Sequence, residues 1–429
     1  RTPKSLFSKR SKGDKIILYE AIDDHEEAIF TVETIRALLE KNKAKGGDVA
    51  IMYRTNAQSR LLEEAFLQSR LPYRLVGAQR FYGRQEVKDM IAYLRVVQNP
   101  ADEISLLRVI NLPPRGIGDK TVIDLRNCAN KASLSMGSIL LDLGEKKDAS
   151  PFWDAFNPRA ASALADFGAQ LLNWQALSTT AQLPELFEHI LNDTHYREFI
   201  SDTSNEIGYS RWENVQELLR MAYEYAQAGL VEFLENLALV SDQDTIPETS
   251  DAPTLLTLHA AKGLEFKVVF IIGLDEGLLP HRRSMEDEEE MAEERRLFYV
   301  GITRAKDALY LVRADQRHSF GSFEYNVPSR FLEDIPENLL LRVGFRRSHS
   351  RTRSLQSLQD RWVASPVKEK KLTQESPQYT VGMHVKHALF GEGIVINSKV
   401  EGEDEIITIA FDGVGLKKLS ATLAKLEIL

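Results

Sequence analysis

The chain has 429 residues, 43% of them apolar, a formal net charge of −9 and a single cysteine, Cys128. That length suggests two to four domains with real cores. The lone cysteine excludes a disulfide framework or a cysteine-rich zinc site and fits a reducing compartment, and no apolar stretch approaches a membrane span or a secretory signal. A cytoplasmic protein with no membrane partner is expected. The acidic balance does not advertise nucleic-acid binding, which local patches decide.

Residues 1–15 are basic and polar and read as a linker or fraying end. A strand is predicted at 16–19, then an amphipathic helix over 23–43, where Ala28, Ile29, Val32, Ile35, Leu38 and Leu39 recur at helical spacing. Gly46 and Gly47 break it. Residues 48–54 form a second strand, 55–60 a polar turn, 61–68 a helix and 72–76 a third strand. Strands alternating with helices point to a parallel α/β sheet. The turn lies just beyond a strand's carboxyl end, where open α/β sheets bind ligands. Its Arg54 and Asn56 belong to a run of side chains able to donate to phosphates without reading sequence. A capped helix start is an equally compatible reading of the same residues.

From about residue 81 the pattern turns helical. Residues 106–125 contain Pro113-Pro114-Arg115-Gly116-Ile117-Gly118-Asp119-Lys120. Glycines on both sides of Ile117 would let backbone amides approach a phosphate, with Arg115 and Lys120 adding charge. The alternative is that they only end one helix and start the next. Residues 129–240 read as helical, with breaks near 148–151, 157–158 and 202–204, and with Trp153, Trp174 and Trp212 as core residues. A polar linker follows at 241–252.

The chain then returns to strand character. A short buried strand is predicted at 255–258, and a β-branched apolar run at 267–274 reads as a central strand covered on both faces. An acidic segment, 286–294, leads into a helical stretch over 293–305, and a last strand follows at 308–312. After Phe331 the composition shifts. Residues 342–371 read as a flexible basic tether, and 379–429, with short β-like runs and an Asp412-Gly413 turn, as a small five-strand-type barrel. His384 and His387 have ligand-like spacing, but no third ligand accompanies them and no metal is assigned.

Two strings carry a resemblance. Residues 257–266, TLHAAKGLEF, and 293–305, EERRLFYVGITRA, resemble motifs V and VI of superfamily 1 helicases of the UvrD/PcrA/Rep group, in that family's order and separation. The strings 50–60, 80–89 and 211–218 are similar to the family too, and the tail resembles the Tudor-like module of its PcrA-type members. The resemblance implies an α/β fold: a RecA-like parallel-sheet motor domain from 1–80 and 248–335, interrupted by a mostly helical insertion over 81–247, then a basic linker over 336–378 and a Tudor/SH3-like β-barrel over 379–429.

The resemblance also implies the C-terminal portion of an ATP-dependent 3′-to-5′ DNA helicase of repair and replication. Arg304 would reach the γ-phosphate as an arginine finger, Glu265 would hydrogen-bond the ATP ribose, and Gly263 would lie beside the nucleotide. Thr257 and His259 would link the nucleotide cleft to single-stranded DNA, which Arg54 and Asn56 also touch. Duplex DNA is the expected partner of Arg115, Gly116, Gly118 and Lys120, and RNA polymerase that of the barrel.

No G-x-x-x-x-G-K-[ST] loop and no paired-acid magnesium motif occurs in the sequence. ATP with Mg²⁺ is therefore expected to require an N-terminal motor domain upstream of Arg1, and the chain alone is expected to be inactive. Two alternatives are a non-catalytic DNA-binding or regulatory module and the helicase-like part of a recombination nuclease. Against the latter, no nuclease-type carboxylate cluster with a lysine follows residue 331.

Overall fold

The computed structural model describes residues 13–201, 206–242, 251–319, 322–344, 383–387, 391–401, 404–411, 415–420 and 427–428. The N-terminal end, the break at 202–204, most of the tether and the Asp412-Gly413 turn lie outside them. The chain divides into two units, Arg1–Ser348 and His349–Leu429.

In the first unit, β1 (Ile16–Ala21) leads to α1 (Asp24–Glu40), β2 (Val49–Tyr53) to α2 (Ser59–Gln68), and β3 (Arg74–Val76) to a run of helices. These are α3 (Gln85–Gln98), α4 (Glu103–Val109), α5 (Asp119–Ala132), α6 (Met136–Lys146), α7 (Pro158–Thr180), α8 (Leu183–Thr194), α9 (Tyr196–Ser201), α10 (Glu206–Glu224) and α11 (Gly229–Asp242). The chain returns with β4 (Thr254–Thr257), β5 (Phe266–Ile271), α12 (Glu288–Ile302) and β6 (Ala305–Ala314). A hairpin, β7 (Gln316–Ser319) and β8 (Ser322–Tyr325), precedes β9 (Leu340–Gly344).

Seven strands form one sheet in the order β3-β4-β2-β5-β6-β1-β9, with every pairing parallel. The apolar runs have their cause here. Residues alternate between the two faces of a strand, and both faces are covered. Ile51, Tyr53 and Phe270 pack with Val32 and Ile35 of α1 and Leu62 and Phe66 of α2, while Ala50, Met52 and Ile271 pack with Leu297 and Phe298 of α12. Two of these helices, α1 and α12, carry side-chain N-caps. The Asp23 carboxylate accepts the Glu26 N–H at 2.8 Å, and Asp287 accepts those of Glu289 and Glu290. With Glu288, Glu289 and Glu290 in its first turn, where the helix dipole favours anions, α12 starts five residues earlier than the sequence reading placed it. The acidic segment is largely the helix itself.

The insertion has its own core, from Phe81 to Leu237 and including Trp174. Its contact with the sheet domain is polar. Arg60 of α2, fully buried, donates from Nε to Glu217 of α10 at 2.6 Å. Arg84 donates to Asn214 at 2.7 Å and to Ser59 at 2.8 Å. Entry and exit of the insertion hang from neighbouring strands, since Arg74 of β3 stands opposite Thr254 of β4.

One boundary is corrected. The linker expected over 336–378 begins inside the sheet, because Leu340–Gly344 is β9 and pairs in parallel with β1, Ile16 opposite Leu340. Five residues next to a basic stretch carry too little periodicity to mark a strand. Docking against β1, with Leu340 buried among Leu18 and Leu311, makes it one.

The second unit holds β10 (His384–His387), β11 (Gly391–Glu401), β12 (Asp404–Phe411), β13 (Gly415–Ser420) and β14 (Glu427–Ile428). They form an antiparallel sheet in the order β13-β12-β11-β10-β14 around Val385, Val395, Ile407, Ile409 and Phe411. Among the described residues no helix is long and apolar enough to cross a membrane.

Candidate nucleic-acid interface

Because β2 and β4 are parallel neighbours with Tyr53 opposite Thr257, the loops leaving their carboxyl ends start side by side. The Leu258 N–H donates to the Tyr53 carbonyl at 2.8 Å. In the first loop the Gln58 side-chain oxygen accepts the N–H groups of Arg54 and Thr55 at 3.0 and 2.9 Å, which folds the turn. The Arg54 guanidinium grips Glu294 of α12 through Nε at 2.9 Å and Nη2 at 2.7 Å. In the second loop Thr257 Oγ1 accepts the Ala260 N–H at 3.3 Å. Together they bring Arg54, Asn56, Thr257 and His259 around one cavity of about 220 Å³. The Asn56 carbonyl accepts from Arg84 at 3.1 Å, while its side-chain Oδ1 is buried without a hydrogen-bond partner, a condition a bound donor relieves.

The facing wall was not anticipated. Tyr209, Ser210 and Glu213 of α10 and His281 and Arg283 of the segment after β5 line the same cavity. His281 Nε2 lies 3.0 Å from Glu213 Oε1, and the Arg283 guanidinium stands 4.0 Å from the Tyr209 ring centroid. The only local signal was the basic pair Arg282-Arg283, set just ahead of the acidic run.

The loop after β4 carries the chain back across one sheet face to the amino end of β5, where the expected nucleotide residues gather. Gly263 has φ +87°, and nothing lies within 4 Å of the position its Cβ would take. Exposed Glu265 pairs with Lys306 at 3.0 Å. Arg304, just past α12, donates to the carbonyls of Val300 at 3.0 Å and Leu264 at 3.1 Å and to Thr303 Oγ1 at 3.1 Å. Its own carbonyl accepts the Phe266 N–H at 3.0 Å. The cation therefore sits at a helix C-terminus, where the dipole favours it, and also ties down the loop that bears Gly263 and Glu265.

The Gly-Ile-Gly element lies elsewhere, in the insertion. The Asn111 side chain accepts the N–H groups of Arg115 and Ile117 at 2.8 and 3.2 Å. Gly116 has φ +83°, Gly118 is the N-cap of α5, and Lys120 is exposed in its first turn. Arg115 departs from the expectation. Its guanidinium turns inward, donating to Tyr93 Oη at 2.8 Å, the Val109 carbonyl at 3.2 Å and the Leu112 carbonyl at 3.3 Å, over the Phe167 ring at 4.5 Å. Those acceptors use the donors that a DNA phosphate would need.

Beside the groove, Glu27 of α1 is buried in a charge cluster. It accepts the Gly273 N–H at 2.8 Å and Arg317 Nη2 at 2.8 Å, and Arg317 also donates to Asp275 at 2.7 Å. Burial pushes the Glu27 carboxyl up from 4.5 to about 7, with Arg317 opposing and Asp275 adding to the shift.

The family model described as UvrD-like helicase C-terminal domain matches residues 1–316, and that of the PcrA/UvrD tudor domain matches 381–427. The chain is similar to the ATP-dependent DNA helicase PcrA of Bacillus subtilis, 39% identical over 441 residues covering all of this chain and 58% of the relative. It is 36% identical over 435 residues to PcrA of Staphylococcus aureus, with 100% of this chain and 58% of that protein covered. With PcrA of Staphylococcus epidermidis the identity is 37% over 433 residues, covering 99% and 58%. The chain thus spans somewhat more than half the length of the curated relatives it matches.

Proposed function

Because the chain belongs to the UvrD-like helicase family, we propose that it is the DNA-gripping portion of an ATP-dependent DNA helicase that moves 3′-to-5′ along a single strand. The observation that supports this best is the meeting of Arg54, Asn56, Thr257 and His259 around one groove at the carboxyl ends of β2 and β4. Asn56, Thr257 and His259 present polar groups suited to a phosphate backbone and none committed to a particular base, beside an Arg54 guanidinium held by Glu294.

The edge made by Gly263, Glu265 and Arg304 fits one side of a nucleotide site, because it is open where a Cβ would stand at Gly263 and offers one exposed carboxylate and one arginine. ATP, when bound, supplies a transferable phosphoryl group and ribose hydroxyls. Glu265 accepts a hydrogen bond from a hydroxyl, and Arg304 brings positive charge to the phosphate end. Among the described residues no carboxylate cluster stands ready to hold magnesium, and the sequence carries no phosphate-cradling loop, which supports a second domain as the source of both. The loop after β4 joins the two sites, with Thr257 and His259 at one end and Gly263 and Glu265 at the other. Gly116, Gly118 and Lys120 offer a separate contact for a duplex backbone, without Arg115. The tudor unit offers a protein dock, with RNA polymerase its first candidate.

The test is direct. The chain on its own should bind a labelled oligothymidylate with an affinity that falls steeply with salt, and should show no DNA-stimulated phosphate release. Turnover that survives repurification and disappears in Arg304→Ala, or binding indifferent to salt, would overturn this reading.

A further inference from the structure

Tyr209 and Arg283 stand 74 positions apart and meet on the wall of the groove that faces Thr257 and His259. Tyr209 is 52% exposed, so its ring is not a core residue of α10. The guanidinium of Arg283 lies over that ring at 4.0 Å from the centroid. Resting on the groove reading proposed above, we infer that the Tyr209–Arg283 pair is a stacking platform for one unpaired nucleobase.

Three observations carry this. First, the groove pairs two kinds of surface: the polar side chains of Asn56 and Thr257 beside the Arg54–Glu294 pair on one side, and a ring with a planar cation on the other. A single strand has both a charged backbone and exposed base faces, and proteins that hold it without sequence preference combine a basic track with aromatic platforms. Second, the platform is held in place. His281, two residues before Arg283, is bound at 3.0 Å to Glu213, one helical turn after Tyr209 on α10, so the loop cannot leave the helix without losing that contact as well. Third, the pair joins the insertion to the sheet domain, and the base it receives lies between them. In a duplex the base faces are covered by their neighbours, so the platform accepts only an unpaired base, and any of the four serves because each has a π face. Arg283 acts here as a plane as much as a charge, a role a lysine does not fill.

The experiment uses the full 429-residue chain, with fluorescence anisotropy on two probes: a short oligothymidylate and an abasic deoxyribose-phosphate strand of the same length. Circular dichroism confirms that each variant is folded. Tyr209→Ala should bind the oligothymidylate roughly ten-fold more weakly, within the range of one base–aromatic stack, and Tyr209→Phe should bind it like the wild type. On the abasic strand the wild type and Tyr209→Ala should bind equally. Arg283→Ala supplies a second variant with the same expectation of a larger loss on the base-bearing strand. Equal losses on both probes would make the pair a phosphate or packing contact and overturn the inference. So would an unchanged affinity of folded Tyr209→Ala for the oligothymidylate. If the wild type binds neither probe, the groove reading itself falls and takes this one with it.

Discussion

Arg304 shows how one side chain can serve the resting structure and the reaction. Three of its five N–H donors are engaged with Val300, Leu264 and Thr303, yet it remains at the open edge beside Glu265. When this chain is joined to a nucleotide-binding domain, Arg304→Ala should lower DNA-stimulated ATP turnover by about a thousand-fold, the range for arginine fingers, with little change in DNA affinity. A drop of only a few-fold would leave the helix-end tie as its sole role. Arg304, Glu265, Thr257 and His259 stood out in the sequence as candidates because they sit in two contiguous strings. The partners of these and other site residues were not. Arg54 is clamped by Glu294 across a separation of 240 residues, and no local pattern announces a contact of that range. Arg115 was misjudged for the same reason: its acceptors, Tyr93 among them, converge only in the folded insertion.

At the scale of elements, the strands of the sheet were legible because burial on both faces leaves unbroken apolar runs, whereas β9 was hidden by its brevity and its basic neighbours. The link between α1 and the segments around Gly273 and Arg317 was equally invisible, and it carries a pH dependence. Folding raises the Glu27 carboxyl from 4.5 to about 7, chiefly through burial. The folded state therefore keeps a proton that the unfolded chain has lost between those values. The stability this contributes is complete below about pH 4.5 and is lost as pH rises through about 7. Measured as melting temperature from pH 5 to 8, the wild type should fall by a few degrees relative to Glu27→Gln, which stays neutral throughout. A constant difference between the two proteins would mean that Arg317 keeps the carboxylate ionised over the whole range.

In the first unit the core of the insertion is joined by charge to the sheet domain, whose two faces carry a core each. Between the apolar core of the insertion and that of the sheet lies a buried polar layer in which Arg60 meets Glu217 and Glu64, and Arg84 meets Asn214 and Ser59. Arg60→Ala should leave Glu217 buried with one partner fewer and cost about 3–5 kcal/mol, as removing one member of a buried pair does. A urea titration should show the loss, and a change below about 1 kcal/mol would mean that the layer is wetter than its burial indicates. The mounting of the insertion has a consequence for how such a chain can change over generations. Every paired residue of the seven-stranded ladder lies outside residues 77–252, and at its margin the Arg74 N–H donates to the Pro253 carbonyl at 2.9 Å. Lengthening, shortening or replacing what lies between β3 and β4 shifts no strand register. The helical insertion is thus free to diversify by insertion and deletion, while the groove loops after β2 and β4, fixed to a shared register, tolerate only substitution.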